Sequence, residues 1–406
     1  MSQASDYVTA AEAAALLGVK PQTLYTYVSR GFIRSVMQPS RRARLYYRED
    51  VERARSRSDA RQGQAPAAEG AMRWGQPVID TTITEITPNG PRYRGVLAID
   101  LVRARRPFER VADLLWGGVL DDSDAPWPVT PPPPVFASLV AALGGLAPER
   151  QIRRMLSAVA ESLALAHHGF PEQRLGLAVA AARQLLQALG GAFGLLGATR
   201  AFVPPREGER IAALIARGLR LEAGPAELAA LDAALIVSAD HELAPSAFAA
   251  RIAASAGSDV HACVVSALCA FEGSLTGLGC DKTEDLLTGA RSAAELRRRF
   301  AAMQGQGQKP PGFNHPLYPR GDPRALALLE IARALPARSP LPGVITGFLD
   351  EARDRFAAQP SLPVGLVAVT AALGLPPRTA GALMALGRAA GWVAHVQEQR
   401  LAGFLM

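Results

Sequence analysis

Cysteine is scarce: Cys263, Cys269 and Cys280 are the three in 406 residues. They are too few and too clustered for a disulfide framework, and without a CxxC pair they do not suggest zinc. Such usage fits a reducing cytoplasm. Runs of β-branched residues are scarce too, and Ala and Leu dominate instead, which favours a mainly helical protein. Long apolar tracts are missing: the longest, residues 185–198, contains Gln187 and is too short to span a bilayer. The N-terminus lacks a charged start followed by an apolar stretch, so no export signal is visible. Charged residues make up only 20% and hydrophobic ones 49%, a balance that excludes a disordered chain and supplies a large core. The length predicts about two or three domains.

What charge there is lies unevenly. The net charge is +7, and residues 1–73 hold 12 Lys+Arg against 7 Asp+Glu. That asymmetry points to an anionic polymer as partner for the N-terminal segment. There, Thr9-Ala-Ala-Glu12 has the capping-box pattern, predicting a helix through Leu17. Gly18 and Val19 make a turn, Pro21 opens a second helix through Arg30, and Gly31 stops it. Leu16, Val19, Leu24 and Val28 can form the small core, leaving Gln22, Thr23, Thr26, Tyr27 and Arg30 outward. Residues 33–47 then read as a basic wing, with Arg41, Arg42 and Arg44 at its centre between short strands.

The stretch TAAEAAALLGVKPQTLYTYVSRGFI resembles the winged helix-turn-helix of MerR-like and excisionase-like families. The resemblance implies that the second helix enters the major groove of double-stranded DNA while the wing touches phosphates. A helical hairpin for protein contacts has the same pattern, and salt-dependent duplex binding separates the two. Residues 1–56 are assigned to this domain, and the polar segment 57–73, poor in apolar residues, to a linker.

In the remainder, residues 79–97 have the alternation and turn residues of a hairpin, and 126–134 is Pro-rich and extended. Residues 136–146, 150–167, 173–189 and 225–238 show helix-period apolar positions that should pack as a bundle. His167 and His168 are adjacent, so they do not face one ligand from one helix side, and no metal site is expected.

The stretch GQKPPGFNHPLYPRGDPRA, residues 307–325, sets His315 in a Gly/Pro-rich loop nine residues before Arg324. The loop can bring backbone close to a ligand, His315 can exchange a proton near neutral pH, and Arg324 can grip a carboxylate. On these residues alone the choice lies between a small-anion site and a surface loop with incidental charge. With LIVSADHELAPSAFAARIAASAGSDVHACVVSALCAFEGSLTGLG and ALMALGRAAGWVAHVQEQ, it resembles citrate synthases over roughly residues 74–399. That implies an all-helical, two-domain subunit forming a two-fold dimer. Residues 74–272 and 377–406 would be the large domain and 273–376 the small one.

Citrate synthases are acyltransferases that join acetyl-CoA to oxaloacetate and use no further cofactor. The resemblance assigns the dicarboxylate to His241, His315, Arg324 and Arg388, with His315 polarising the ketone. Elsewhere the match fails. Thr276 stands where the family has its enolate-stabilising His, and a hydroxyl cannot carry that positive charge. Pro363 stands where the proton-abstracting Asp belongs, and after Asp354 the sole acidic residue is Glu398. The segment 400–406 also stops short of the family's Arg-rich tail, so one substrate clamp is expected to be missing. Loss of a base (about 10²–10⁴-fold) and of an oxyanion donor (about 10²–10³-fold) predicts very low or no turnover. Two functions follow as expectations: a DNA-binding pseudoenzyme sensing oxaloacetate, citrate or a related dicarboxylate, or a citrate or 2-methylcitrate synthase, alone or with an intact paralogue.

Overall fold

The computed structural model describes residues 7–29, 33, 35–37, 44–48, 50–52, 54–55, 81–123, 125–146, 148–167, 175–274, 276–336 and 338–402. The chain divides into two units, one within residues 1–80 and the other within 81–405. The expected linker, 57–73, lies outside the described residues.

In the N-terminal unit, strand β1 (Tyr7–Thr9) leads into helices α1 (Ala10–Leu17) and α2 (Pro21–Ser29), followed by β2 (Ser35–Met37) and β3 (Arg44–Tyr47). The capping box forms as expected: Thr9 Oγ1 accepts from Glu12 N at 3.3 Å, and Glu12 Oε2 accepts from Thr9 N at 2.8 Å. Gly18, at φ 63°, ends α1. The sheet order is β1-β3-β2, antiparallel, with Tyr7 opposite Tyr47 and Ser35 opposite Tyr46.

This sheet corrects the expected core. Of Leu16, Val19, Leu24 and Val28, only Leu24 is fully buried; the others pack partly buried at the edge. The centre is filled by Val8 from β1 and Tyr46 from β3, together with Ala13, Leu17, Ile33 and Val51. The sequence reading had no strand ahead of Thr9, and so no sheet to cover the helices.

The larger unit begins with a three-stranded antiparallel meander, β4 (Thr84–Thr87), β5 (Gly90–Tyr93) and β6 (Val96–Leu97), one strand more than a plain hairpin. Among its other described residues the regular structure is helical, apart from an isolated antiparallel bridge between Phe313 and Pro360. The expected helices occur as Val135–Ala141, followed by a 3₁₀ turn at Ala142–Gly145, and as Pro148–Ala166, Leu175–Gly191 and Pro225–Ser238. The Pro-rich segment is extended, and its Trp127 stacks on Trp116 with ring centroids 5.4 Å apart.

The element that positions the rest is the helix Thr379–Ala402, buried along most of its length. It packs on the helices Pro225–Ser238, Pro245–Ser255 and Val260–Phe271. Two glycines allow the closest of these approaches. A Cβ at Gly391 would stand 2.4 Å from both the Ala239 carbonyl oxygen and Asp240 Oδ1, and one at Gly387 2.5 Å from the Leu235 carbonyl oxygen. Among the described residues no helix is long and apolar enough to cross a membrane.

A pair of carboxyls joins the helices Phe108–Gly117, Ile211–Gly218 and Pro225–Ser238. Glu109 Oε1 accepts from Ile211 N at 2.6 Å, and Asp232 Oδ1 accepts from Phe108 N at 3.1 Å. Burial, and then the neighbouring Glu109, push Asp232 up to about 8 from an ordinary 3.8. The folded chain therefore keeps a proton that the unfolded chain releases above about pH 4. The stabilisation this gives is complete below that pH and is lost as pH rises toward 8. We expect Asp232→Asn to shrink the difference in melting temperature between pH 5 and pH 8 relative to wild type, read by thermal denaturation.

Candidate functional site

The loop carrying His315 is fixed by its neighbour at 359–361. Asn314 N donates to the Gln359 carbonyl at 2.8 Å, Gln359 N to Asn314 Oδ1 at 2.7 Å, and Ser361 N to the Gly312 carbonyl at 2.9 Å. Gly312 has φ 83°, and a Cβ there would lie 2.4 Å from Thr283 Cγ2, so glycine is required twice over. Asn314 takes φ 57°, a conformation its short polar side chain tolerates. Beyond the turn, Leu317 N donates to His315 Nδ1 at 3.2 Å. An accepting Nδ1 fixes the neutral tautomer, with the proton on Nε2.

Asp322 then caps the helix Pro323–Ala334 and holds Arg324. Its Oδ1 accepts from Arg324 N at 3.1 Å and Arg324 Nε at 3.0 Å, and its Oδ2 accepts from Arg324 Nη2 at 2.8 Å and Leu362 N at 3.1 Å. Arg324 is buried, with its guanidinium 5.3 Å over the Tyr318 ring. Burial opposes its charge, but contact and hydrogen bonds with Asp322 more than offset this and hold the guanidinium above its usual range.

His241 comes from the end of the helix Pro225–Ser238. Glu242 turns the chain at φ 56° and donates its N–H to Asp240 Oδ2 at 2.9 Å, while Tyr93 donates its hydroxyl to the Ile236 carbonyl at 2.9 Å. Arg388, set between Gly387 and Gly391, donates Nε to the Ser238 carbonyl at 2.9 Å. Beneath it, His395 Nε2 lies 3.3 Å from Asp240 Oδ1, both side chains fully buried.

These pieces meet. The rings of His241 and His315 stand 5.4 Å apart, edge to face, and Tyr318 lies 6.1 Å from the first and 5.2 Å from the second. Burial, then the charges of Arg324 and Arg388, drive His241 well below the usual histidine range. Burial and Arg324 lower His315 as well, with Asp322 opposing. Both imidazoles are neutral near pH 7 beside two guanidinium groups. His241 Nε2, Tyr318 Oη and Arg324 Nη1 are buried with no hydrogen-bond partner, an arrangement that a bound anion can satisfy.

The other expected positions differ in kind. Thr276 Oγ1 donates to the Phe271 carbonyl at 2.6 Å, so its one proton is occupied within its own turn. Pro363 sits in the first turn of the helix Leu362–Ala372, half-buried, with no titratable atom. Glu398 is no substitute base: its carboxylate accepts from Thr82 N at 2.8 Å, Thr82 Oγ1 at 2.9 Å and the buried Arg251 at 2.6 Å. Arg400 donates to the Ser258 carbonyl at 3.0 Å.

In the N-terminal unit Gln22 and Thr26 are exposed on α2, Thr23 is half-buried, and the Thr26 hydroxyl donates to the Gln22 carbonyl at 3.0 Å. Tyr27 packs against the core rather than pointing fully outward; the exposed aromatic is Tyr25. Arg44 is exposed on β3, and Arg30, Arg41 and Arg42 lie outside the described residues. His167 faces Gln184 Oε1 at 2.9 Å, and His168 lies outside the described residues, among which no cluster of metal-ligating side chains occurs.

Sequence reasoning passed over Tyr318, Asp240, His395 and the structural part of Asp322. Asp322 carried a usable signal, an acidic residue immediately before Pro323 at a helix start. Removing one partner of a buried ion pair leaves an uncompensated charge, so we expect Asp322→Ala to destabilise the chain by about 3–5 kcal/mol, measured from the denaturant midpoint.

Comparison with known proteins agrees with this architecture. Residues 71–405 match the citrate synthase C-terminal domain family, and residues 7–57 match a helix-turn-helix domain. Citrate synthase 2 of Bacillus subtilis is 31% identical over 184 residues, 44% of this chain and 49% of that protein. The 2-methylcitrate synthase of Shewanella oneidensis is 27% identical over 176 residues, 42% of this chain and 46% of that protein. The chain thus spans about half the length of the curated relatives it matches. Citrate synthase of Thermoplasma acidophilum, in ternary complex with carboxymethyl coenzyme A and oxaloacetate, superposes with a TM-score of 0.70 at 22% identity, covering 79% of this chain and 89% of that one. On the strength of the family match across residues 71–405, the chain belongs to the citrate synthase family.

Proposed function

We propose that the chain binds oxaloacetate, citrate or a related dicarboxylate without condensing oxaloacetate with acetyl-CoA, and that it is a DNA-binding regulator. The observation that carries this reading is the contrast within the site. His241, His315, Arg324 and Arg388 converge, with His241 Nε2 and Arg324 Nη1 buried and without a hydrogen-bond partner, whereas the Thr276 hydroxyl is closed onto Phe271 and Pro363 offers no base. The oxaloacetate bound in the Thermoplasma acidophilum relative supports the choice of ligand. In this reading residues 273–376 form a small domain facing a large one of 74–272 and 377–406. A two-fold homodimer presents two α2 helices to a palindromic duplex.

A second reading, a citrate or 2-methylcitrate synthase acting alone or with an intact paralogue, is favoured by the activities of the curated relatives. An assay of CoA release from acetyl-CoA and oxaloacetate, with and without that paralogue, decides between them. We expect no turnover from the purified chain; activity that survives Thr276→Ala but not His315→Ala overturns the regulator reading.

Calorimetric titration of oxaloacetate and citrate tests the pocket itself. A dianion raises the depressed basicity of His241 and His315, so binding takes up protons and tightens as pH falls from about 8 toward 6. Titrations in buffers of different ionisation enthalpy read that uptake. Arg388→Leu removes a charged donor worth about 1.5–3 kcal/mol, which weakens Kd roughly ten- to a hundred-fold. If neither acid binds, the reading fails. For the N-terminal unit, duplex affinity should fall linearly with the logarithm of salt concentration.

A further inference from the structure

Helix α2 of the N-terminal unit has a packed side and an outer side of distinct chemistry. Leu24 is fully buried, and Tyr27 and Val28 pack partly buried against the small core. Gln22, Tyr25 and Thr26, spaced i, i+3 and i+4 and therefore neighbours on one side of the helix, are all exposed. Tyr25, at 55% exposure, is the one exposed large apolar side chain among the described residues of this unit. The helix itself, PQTLYTYVS, contains no Arg, Lys, Asp or Glu. Exposed cations flank it in the sequence instead: Lys20 comes immediately before it, and Arg44 follows on β3.

This division of labour fits a duplex. Cations beside the helix suit phosphates, which hold a protein in register without reporting sequence, and an uncharged face suits base edges. The excess of 12 Lys+Arg over 7 Asp+Glu in residues 1–73 favours a polyanion as the occupant of that face. In the major groove guanine is read by Arg or Lys and the cytosine amine by Asp or Glu, and α2 has none of these. Gln22 lies in the first turn, where a recognition helix meets base edges. Its amide matches adenine: the oxygen accepts from N6 while the nitrogen donates to N7. Thr26 has its hydroxyl proton committed to the Gln22 carbonyl at 3.0 Å, so what it can add is its methyl group. That methyl and the Tyr25 ring suit the C5 methyl of thymine.

We propose that α2 reads A·T base pairs through the major groove, with Gln22 paired to adenine and Tyr25 and Thr26 packed on thymine methyl groups. The proposal rests on the DNA-binding reading above and adds to it the class of base pair recognised. Tyr25 becomes a specificity-determining residue, in the outward place that the sequence reading had given to Tyr27.

The test takes the full-length chain and a pool of duplexes randomised over about 20 base pairs, two turns of the helix, selected at about 0.15 M salt. We expect the selected duplexes to share A·T pairs, and replacement of a shared A·T pair by G·C to weaken Kd roughly 5- to 150-fold. Two modified bases then probe the unaltered chain on the selected duplex. At a shared adenine 7-deazaadenine, which lacks N7, should cost roughly 2- to 12-fold, and at a shared thymine deoxyuridine, which lacks the methyl group, about fourfold. Gln22→Arg should change the preferred base at the deaza-sensitive position from adenine to guanine, and Tyr25→Ala should reduce the deoxyuridine penalty. Salt-dependent binding without a shared A·T pair, or with G·C pairs enriched instead, overturns the proposal and leaves the DNA-binding reading standing. Shared A·T pairs at which neither modified base is penalised mark readout of duplex shape and overturn it as well. A Gln22→Arg chain that still selects adenine there overturns the part given to Gln22. Absence of any duplex binding removes both readings.

Discussion

The buried pair of Asp322 and Arg324 is the constraint on which the site depends. A guanidinium that is 2% exposed survives in the interior only because a carboxylate two residues away accepts two of its N–H groups. The same carboxylate also takes the amides of Arg324 and Leu362. One acidic side chain thereby caps one helix, anchors the entry to another and keeps a cation charged between them. What remains of Arg324, a single unpartnered Nη1, is the part a ligand can use. Burial and that fixed charge together keep both imidazoles neutral near pH 7.

The matched and the unmatched positions differ in how their polar groups are occupied. On the His241 and His315 side, groups are held from behind and left open in front: His315 through Leu317 N, Arg388 through the Ser238 carbonyl, Arg324 through Asp322. At Thr276 the hydroxyl has turned back onto the chain, 2.6 Å from the Phe271 carbonyl. A side chain whose donor is already occupied in the resting fold cannot stabilise a charge that develops later without first breaking that bond. The difference is one of preorganisation rather than of residue count.

Much of this was legible in the sequence, for identifiable reasons. The capping box at Thr9 and Glu12 and the turn at Gly18 are local chemistry, and both formed as read. His315 and Arg324 were conspicuous because loop residues flanked by glycine and proline have few structural reasons to be charged. Tertiary partners were not legible. β1 is three residues long and is a strand only because β3 lies beside it. Without it the core could not be assigned, and Tyr27 was read as outward when it leans inward. Asp240 and His395 lie 155 residues apart, and nothing local to either announces that they meet. That Pro363 offers no base needed no structure, since a proline side chain has no proton to exchange wherever it lies.

The bonds at Glu398 give the larger unit a defined point of entry. Its carboxylate takes the amide and hydroxyl of Thr82, the second described residue of that unit, and is itself bound by the buried Arg251. The helix that carries Glu398 also carries Arg388, ten residues earlier. The start of the larger unit is thus moored to the same helix that carries Arg388. Chain entry and candidate site share one frame of reference, so a displacement of that helix shifts both together.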